Sequence, residues 1–104
     1  METNELLKQI RVRLEEVFAD RFKGLVLFGS EARHQAAPES DIDLMVLLKG
    51  PVQLGRDLET IIHALYPLQL ETDRLIDAWP ADVDSYEAQE FAIYRSARRE
   101  GVRL

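Results

Sequence analysis

The stretch Leu25-Val26-Leu27-Phe28-Gly29-Ser30-Glu31-Ala32-Arg33, followed by Ser40-Asp41-Ile42-Asp43-Leu44, decides the fold and contains the candidate site. Its first four residues are apolar and predict a buried strand, which ends at a glycine free to adopt unusual backbone angles. Ser30 offers a hydroxyl and a backbone N–H where a short helix, Glu31 to Gln35, is predicted to begin. Because a helix start presents free N–H groups and partial positive charge, this turn suits a phosphate.

Two carboxylates occupy alternate positions at the start of the next predicted strand, Ile42 to Leu48. Alternate residues of a strand face the same side, so Asp41 and Asp43 point together, roughly 6.6 Å apart along the chain. Two carboxylates on one face repel each other unless a cation lies between them. A hard, oxygen-ligated ion such as Mg²⁺ fits this need and usually brings substrate phosphates with it.

Apolar periodicity assigns most of the remaining chain to helices. One helical stripe comprises Leu6, Ile10, Leu14, Val17 and Phe18, and a second, expected to end near Pro67, comprises Leu54, Leu58, Ile61, Ile62 and Leu65. A last helix is expected around Tyr86, Phe91, Tyr94 and Ala97, with arginines near its C-terminal end that suit the helix dipole or, alternatively, an acidic partner. With three strands, this order predicts an α+β (mixed α/β) domain with a small sheet.

The third predicted strand, Arg74 to Trp79 with Pro80 ending it, contains a further candidate carboxylate. Asp77 lies between Ile76 and Ala78, and a carboxylate among apolar strand residues is costly unless it is paired or binds a metal. An edge-strand position open to water is the alternative. Asp73 has the same parity and competes with Asp77 for the role of third carboxylate.

Composition narrows the classes of function. The 104 residues suffice for a single domain, 1–104, and 46% of them are hydrophobic, which disfavours disorder. A net charge of −6 argues against a long nucleic acid as substrate, because such proteins carry basic surfaces. The absence of cysteine excludes disulfides and zinc–thiolate sites. No signal peptide or membrane-spanning run is apparent, so we expect a cytoplasmic protein with no membrane association.

The motif from Gly29 to Arg33, together with Ser40 to Val46, resembles the signature of the minimal nucleotidyltransferases. These are small members of the DNA polymerase β-like nucleotidyltransferase superfamily. The similarity runs from about Leu25 to Leu48, and a weaker similarity extends to the segment Arg99 to Val102. One departure is His34, which stands where this family very often has glycine after the arginine.

The resemblance implies a fold, a metal-dependent nucleotidyl transfer and a set of site residues. The fold is a mixed sheet packed with helices, and two Mg²⁺ ions lie among Asp41, Asp43 and the third aspartate, either Asp77 or Asp73. The nucleotide, ATP or another NTP, is held through Gly29, Ser30 and Ser40. Arg33 either neutralises phosphate charge or braces the loop through hydrogen bonds.

The small size of the chain suggests a partner protein. Larger relatives bind their acceptor with a second domain, so the resemblance points to MntA-type antitoxins of HEPN/MNT toxin–antitoxin pairs, which assemble with a HEPN ribonuclease toxin. In these pairs the nucleotidyltransferase adds AMP to a tyrosine of the toxin. Two alternatives stay open: a catalytically weak antitoxin that blocks its partner sterically, and a nucleotidyltransferase acting on a small, antibiotic-like molecule.

Overall fold

The structure, a computed structural model, describes residues 1–32 and 40–104. In chain order the elements are α1 (Thr3–Phe18), a 3-10 turn (Ala19–Arg21), β1 (Phe22–Phe28), α2 (Gly29–Ala32), β2 (Ile42–Leu48), α3 (Leu54–Gln69), β3 (Ile76–Asp82), α4 (Val83–Glu87), α5 (Ala92–Glu100) and β4 (Val102–Arg103). The strand predicted from Ile42 to Leu48 has the predicted bounds. Within the described residues, no helix has the length and apolar character needed to cross a membrane.

The strands form one mixed sheet in the order β3-β2-β1-β4. β1 is antiparallel to both of its neighbours, whereas β2 and β3 are parallel. A parallel pair needs a crossover connection, and α3 supplies it between β2 and β3. The mixed sheet with its helices confirms the predicted α+β class.

The sheet separates two apolar layers, because successive side chains of a strand point to opposite faces. The larger layer joins the sheet to α1 and α3 and includes Leu6, Ile10, Leu14, Leu25, Leu27, Ile42, Leu44, Val46, Leu48, Ile61, Leu65 and Leu68. The smaller layer lies on the opposite face against α4 and α5 and comprises Val26, Met45, Leu47, Ala81, Tyr86 and Ala97. Each fully buried Leu or Ile contributes about 1.5–3 kcal/mol, so the α1/α3 layer provides most of the stabilisation.

The third strand differs from its prediction at both ends. It begins at Ile76 and runs through Pro80 to Asp82 instead of ending before the proline. Proline cannot donate a hydrogen bond to a neighbouring strand, so it is tolerated in a sheet mainly on outer strands. β3 is such an outer strand, because among the described residues β2 is its only neighbour in the sheet.

The helices after β2 also depart from their predictions. α3 continues past Pro67 to Gln69, and its apolar stripe is divided between a buried face and an exposed one. The C-terminal helix is two helices, α4 and α5, and Gln89 in the turn between them has a positive φ of 54°. After α5 the short β4 pairs with β1. β4 was not predicted, because a strand of two residues leaves no recognisable pattern in the sequence.

A partly buried ion pair connects the 3-10 turn to α3. Asp57 is only 3% exposed, and its two carboxylate oxygens each accept a hydrogen bond of 3.0 Å from the guanidinium of Arg21. The backbone N–H of Gln53 donates a third, also 3.0 Å. Arg21 further donates to the carbonyls of Lys49 and Pro51. These two side chains therefore hold together the turn before β1, the loop after β2 and the start of α3.

Replacing Asp57 by asparagine is expected to lower the free energy of unfolding by about 2 kcal/mol at pH 7, because charged hydrogen bonds to a buried carboxylate are lost. The guanidinium of Arg21 and the N–H of Gln53 lower the pKa of Asp57 in the folded protein. The contribution is thus present above the unfolded pKa of about 3.9 and is lost as the pH falls through the folded pKa. Urea unfolding at pH 7 and pH 3 should show the gap between wild type and variant closing in acid. Asp20→Asn, at an exposed position of the same turn, serves as the control, and an equal loss there would contradict the assignment.

Candidate active site

Three strand ends lie side by side at one end of the sheet. Phe28, the last residue of β1, is paired with Asp43 of β2, and Asp43 is in turn in register with Asp77 of β3. Because β1 runs antiparallel to the other two strands, its C-terminal end meets their N-terminal ends. The structure therefore brings Gly29, which follows Phe28, next to Asp43, with Asp77 one strand further along the sheet.

The candidate carboxylates share the face of the sheet opposite α1 and α3. Asp43 alternates with Ile42 and Leu44, both of which are buried against those helices. Asp77 alternates in the same way with Ala78, and the alternation continued back by one residue puts Asp41 on the same side as Asp43. Asp43 is half-buried, whereas Asp41 and Asp77 are exposed. All three carboxylates can thus be reached from one side of the sheet.

Gly29 is required by its own backbone and by the side chain of Asp43. Its φ is +75°, in the left-handed region that side chains other than glycine rarely adopt. A Cβ atom at this position would collide with the carboxylate oxygen Oδ2 of Asp43. Glycine therefore allows the end of β1 to approach a carboxylate, which explains physically why this residue stands at the turn.

The structure separates the two candidates for the third carboxylate. Asp77 is the second residue of β3 and the register neighbour of Asp43. Asp73 lies in the turn before β3, in a shallow depression beside Met1, Thr3 and Glu71. Asp77 also occupies an outer strand and is exposed, as the alternative of a solvated edge position requires. Its position beside Asp43 is the feature that Asp73 lacks.

The chemistry of these carboxylates fits a hard divalent cation. Carboxylate oxygens are the ligands that Mg²⁺ takes from proteins, together with water and substrate phosphates. In the part of the chain that the structure describes, however, no three His, Asp or Glu side chains are grouped closely enough to hold a metal ion. The donors are therefore on one face and of the right type, and their side chains do not converge on a single point.

The remaining predicted site residues fall partly outside the described part of the chain. Arg33 and His34 lie there, as does most of the helix predicted from Glu31 to Gln35. The backbone of Ser30 belongs to the four-residue α2. Ser40 is half-buried, two residues before β2.

Arg74 is a residue of this region that the sequence interpretation missed. Its Nε donates a 2.8 Å hydrogen bond to the carbonyl of Ser40, and its Nη1 donates one of 3.2 Å to the hydroxyl of Thr3. The N–H of Ile42 donates to the carbonyl of Leu75, at 2.8 Å. These bonds fasten the segment containing Asp41 to the start of β3. No pattern in the sequence indicated this contact, since an arginine at a strand start is usually a solvated residue.

Two aromatic residues accompany the carboxylates on the same face. The rings of Phe28 and Trp79 meet edge to face, with centroids 5.8 Å apart and an angle of 84° between their planes. Phe28 is the register partner of Asp43, and Trp79 lies two residues beyond Asp77. The carboxylates therefore border an apolar surface.

The C-terminal arginines are engaged within the chain. Arg98 and Arg103 both pair with Glu87 of α4. These contacts favour an intramolecular role over the alternative of an acidic partner. Nearby, burial raises the pKa of the Tyr94 phenol, and the carboxylates of Asp82 and Glu90 raise it further.

Comparison with known proteins supplies independent information about this arrangement. The family model described as "Nucleotidyltransferase domain" matches residues 7–96. A candidate protein adenylyltransferase from Methanocaldococcus jannaschii is 32% identical over 76 residues, which cover 73% of this chain and 76% of the relative.

Two solved structures share the fold. A candidate nucleotidyltransferase from Sulfolobus solfataricus superimposes with a TM-score of 0.63 at 19% identity, covering 96% of this chain and 79% of that one. A chain of a mutant MntA–HpeT toxin–antitoxin complex superimposes with a TM-score of 0.56, also at 19% identity, covering 100% of this chain and 72% of that one. At such identities the likeness concerns the fold alone.

Proposed function

Because the chain belongs to the nucleotidyltransferase domain family and is a nucleotidyltransferase, we propose that it transfers AMP from ATP to a tyrosine of a partner protein. The observation that carries this proposal is the register that brings Gly29, Asp43 and Asp77 together at one end of the sheet. A phosphate-compatible turn beside carboxylates is what a nucleotidyl transfer requires.

We assign the cation site to Asp41, Asp43 and Asp77. Bound Mg²⁺ would neutralise phosphate charge and lower the pKa of the acceptor hydroxyl. Two ions are expected, as in the family that the motif resembles. The exposure of Asp41 and Asp77 leaves their oxygens accessible to a nucleotide approaching this face.

The nucleotide is assigned to the turn after β1. Gly29, Ser30, Arg33 and Ser40 would hold the triphosphate, with the backbone of Gly29 allowing close approach. In the transfer step the tyrosine oxygen forms a bond to the α-phosphorus, the bond from that phosphorus to the β-phosphate oxygen breaks, and pyrophosphate leaves. Asp77 would accept the phenolic proton.

The acceptor is assigned to a HEPN-domain ribonuclease toxin, which this chain would neutralise as an antitoxin in a cytoplasmic hetero-oligomer. The M. jannaschii relative carries the name of a protein adenylyltransferase, and the MntA–HpeT structure is a toxin–antitoxin complex, and both agree with this assignment. Holding an acceptor in line with the phosphorus supplies several kcal/mol of barrier lowering. A folded partner can provide that positioning.

Steric inhibition is the second candidate function. It is favoured by the finding that no three acidic or histidine side chains of the described residues are grouped as a metal site. An antitoxin of this kind would bind the toxin and transfer nothing.

Labelled ATP distinguishes the two functions. With Mg²⁺ and the HEPN-domain protein present, label from [α-³²P]ATP should appear on the partner, and label from [γ-³²P]ATP should not, because pyrophosphate carries the γ-phosphate away. Omitting Mg²⁺ should abolish labelling. Binding without any α-label on the partner would establish steric inhibition instead.

A further inference from the structure

An exposed apolar ridge runs along α3, on the side away from the core. Its members recur every four residues, a spacing that aligns side chains in one row on a helix: Leu54, Leu58, Ile62, Tyr66 and Leu70. Four of them are strongly exposed, at 64% for Leu54, 55% for Ile62, 59% for Tyr66 and 69% for Leu70. We call this set the α3 ridge. Apolar surface this continuous is typical of a protein-binding site.

A groove of about 390 Å³ lies between the α3 ridge and the start of β3. Ile62 and Tyr66 form one wall, and the opposite wall contains Leu75, itself 55% exposed, and Asp77. A molecule seated in this groove therefore contacts a residue that we assign to the cation site. The carboxylate of Asp77 is on the other face of the sheet, so the groove reaches the edge of the site and not its carboxylate face.

The open edge of β3 is protected against pairing with another strand. The carbonyl of Leu75 points toward β2, and the next N–H, that of Ile76, points outward and receives the side-chain oxygen of Gln69 at 2.8 Å. Pro80 has the same parity as Ile76 and has no N–H to offer. Only Ala78 remains between them with an outward N–H. An added strand would thus lack two of the three outward N–H donors between Ile76 and Pro80, whereas a helix needs none from this edge.

Charges around the ridge are mostly negative. Glu59 lies on α3, Glu71 and Asp73 follow its end, and Asp77 lies across the groove, against two arginines, Arg56 of α3 and Arg74 beside Asp73. Two copies of this chain packed ridge to ridge would bring these like charges together, and each copy carries a net charge of −6. Such juxtaposition disfavours a homodimer and favours a partner with basic residues.

We propose that the α3 ridge binds an amphipathic α-helix of a partner protein, with apolar residues on the contacting side and basic residues flanking them. Rows of side chains four residues apart interdigitate when two helices pack, and the ridge presents one complete row. At Asp77 the docked helix reaches the outer edge of the sheet, whose opposite face presents the carboxylates. The inference rests on the proposed function in one respect only: it identifies the α3 ridge as the surface that would hold the protein acceptor.

A synthetic peptide provides the test. The probe is a fluorescein-labelled 18-residue peptide with leucines on one helical face and lysines on the other, and its companion has glutamate in place of lysine. Titration with the protein, without nucleotide or Mg²⁺, is followed by fluorescence anisotropy. We expect the lysine peptide to bind at least tenfold more tightly than the glutamate peptide.

Ile62→Asp should weaken binding of the lysine peptide at least tenfold. The variant has a net charge of −7, from −6 and one added carboxylate, so attraction by charge alone would strengthen binding instead. Val12→Asp adds the same charge at a position of α1 that is 54% exposed and should retain wild-type affinity. Ile62→Ser tests the apolar contact without a charge, and circular dichroism checks the fold of each variant.

Equal affinity in wild type and Ile62→Asp would overturn the proposal, and so would equal loss in Val12→Asp. Sedimentation supplies a further check: a wild-type dimer that Ile62→Asp dissociates would show that the ridge joins two copies of this chain. Because no nucleotide is present, failure of this test leaves the ATP-labelling experiment unaffected. Conversely, a chain without transferase activity could still bind the peptide.

Discussion

Asparagine in place of Asp43 is expected to abolish nucleotide transfer, with a loss of about 10³-fold or more. Asparagine has nearly the same shape, so the contact with Gly29 and the pairing of β2 persist while the negative charge is removed. Charge stabilisation by a bound metal is worth several kcal/mol, and each 1.36 kcal/mol is a factor of ten in rate. Asp41→Asn should behave in the same way, because it removes the neighbouring charge.

Transfer from [α-³²P]ATP and the melting temperature are the quantities to measure for both variants. Mg²⁺ with ATP should raise the melting temperature of the wild type through binding to the folded state, and this shift should vanish in Asp43→Asn. Asp20→Asn is the matched control: it removes the same charge at an exposed position in the 3-10 turn before β1 and should keep full activity. Full activity in either Asp41→Asn or Asp43→Asn would contradict the assigned cation site.

The second large effect concerns the third carboxylate. Asp77→Asn should reduce transfer by orders of magnitude, because Asp77 is the register neighbour of Asp43. Asp73→Asn should reduce it far less, since Asp73 lies in the turn before β3 near Met1 and Thr3. Transfer activity and melting temperature are measured for both variants. The two variants remove the same charge at positions four residues apart, so their difference reports the position alone.

The ranking of these two variants decides between the candidates. A greater loss in Asp73→Asn would mean that the third carboxylate comes from the turn and that Asp77 is a solvated edge residue. Similar small losses in both would leave the reaction to Asp41 and Asp43, and the assignment of a three-carboxylate site would be wrong.

The elements near the motif could be predicted because their signals are local. The apolar run before Gly29 and the apolar run after Asp43 each indicate a strand, and the observed β2 has the predicted bounds. The strand register that joins Asp43 to Asp77 is not local, so parity could only limit the third carboxylate to Asp77 or Asp73. The pairing between β2 and β3 puts Asp77, and not Asp73, in register with Asp43.

Other features depended on tertiary context. Pro80 looked like a strand end, but the outer position of β3 tolerates the missing N–H. The apolar residues of α3 looked like one stripe, and packing against α1 and the sheet buries only those in line with Ile61 and Leu65. Asp57, four residues before Ile61, was a polar residue in that buried line, and this was the available signal for its pairing with Arg21.

The mass of the partner is the most direct test of the central claim, that this chain adenylylates a protein. The chain is incubated with the HEPN-domain protein, ATP and Mg²⁺, and both proteins are weighed intact by mass spectrometry. We predict that the partner gains whole AMP units at a tyrosine and loses its ribonuclease activity, and that with Asp43→Asn its mass is unchanged. A partner that is bound and silenced by the wild-type chain at its original mass would contradict the claim.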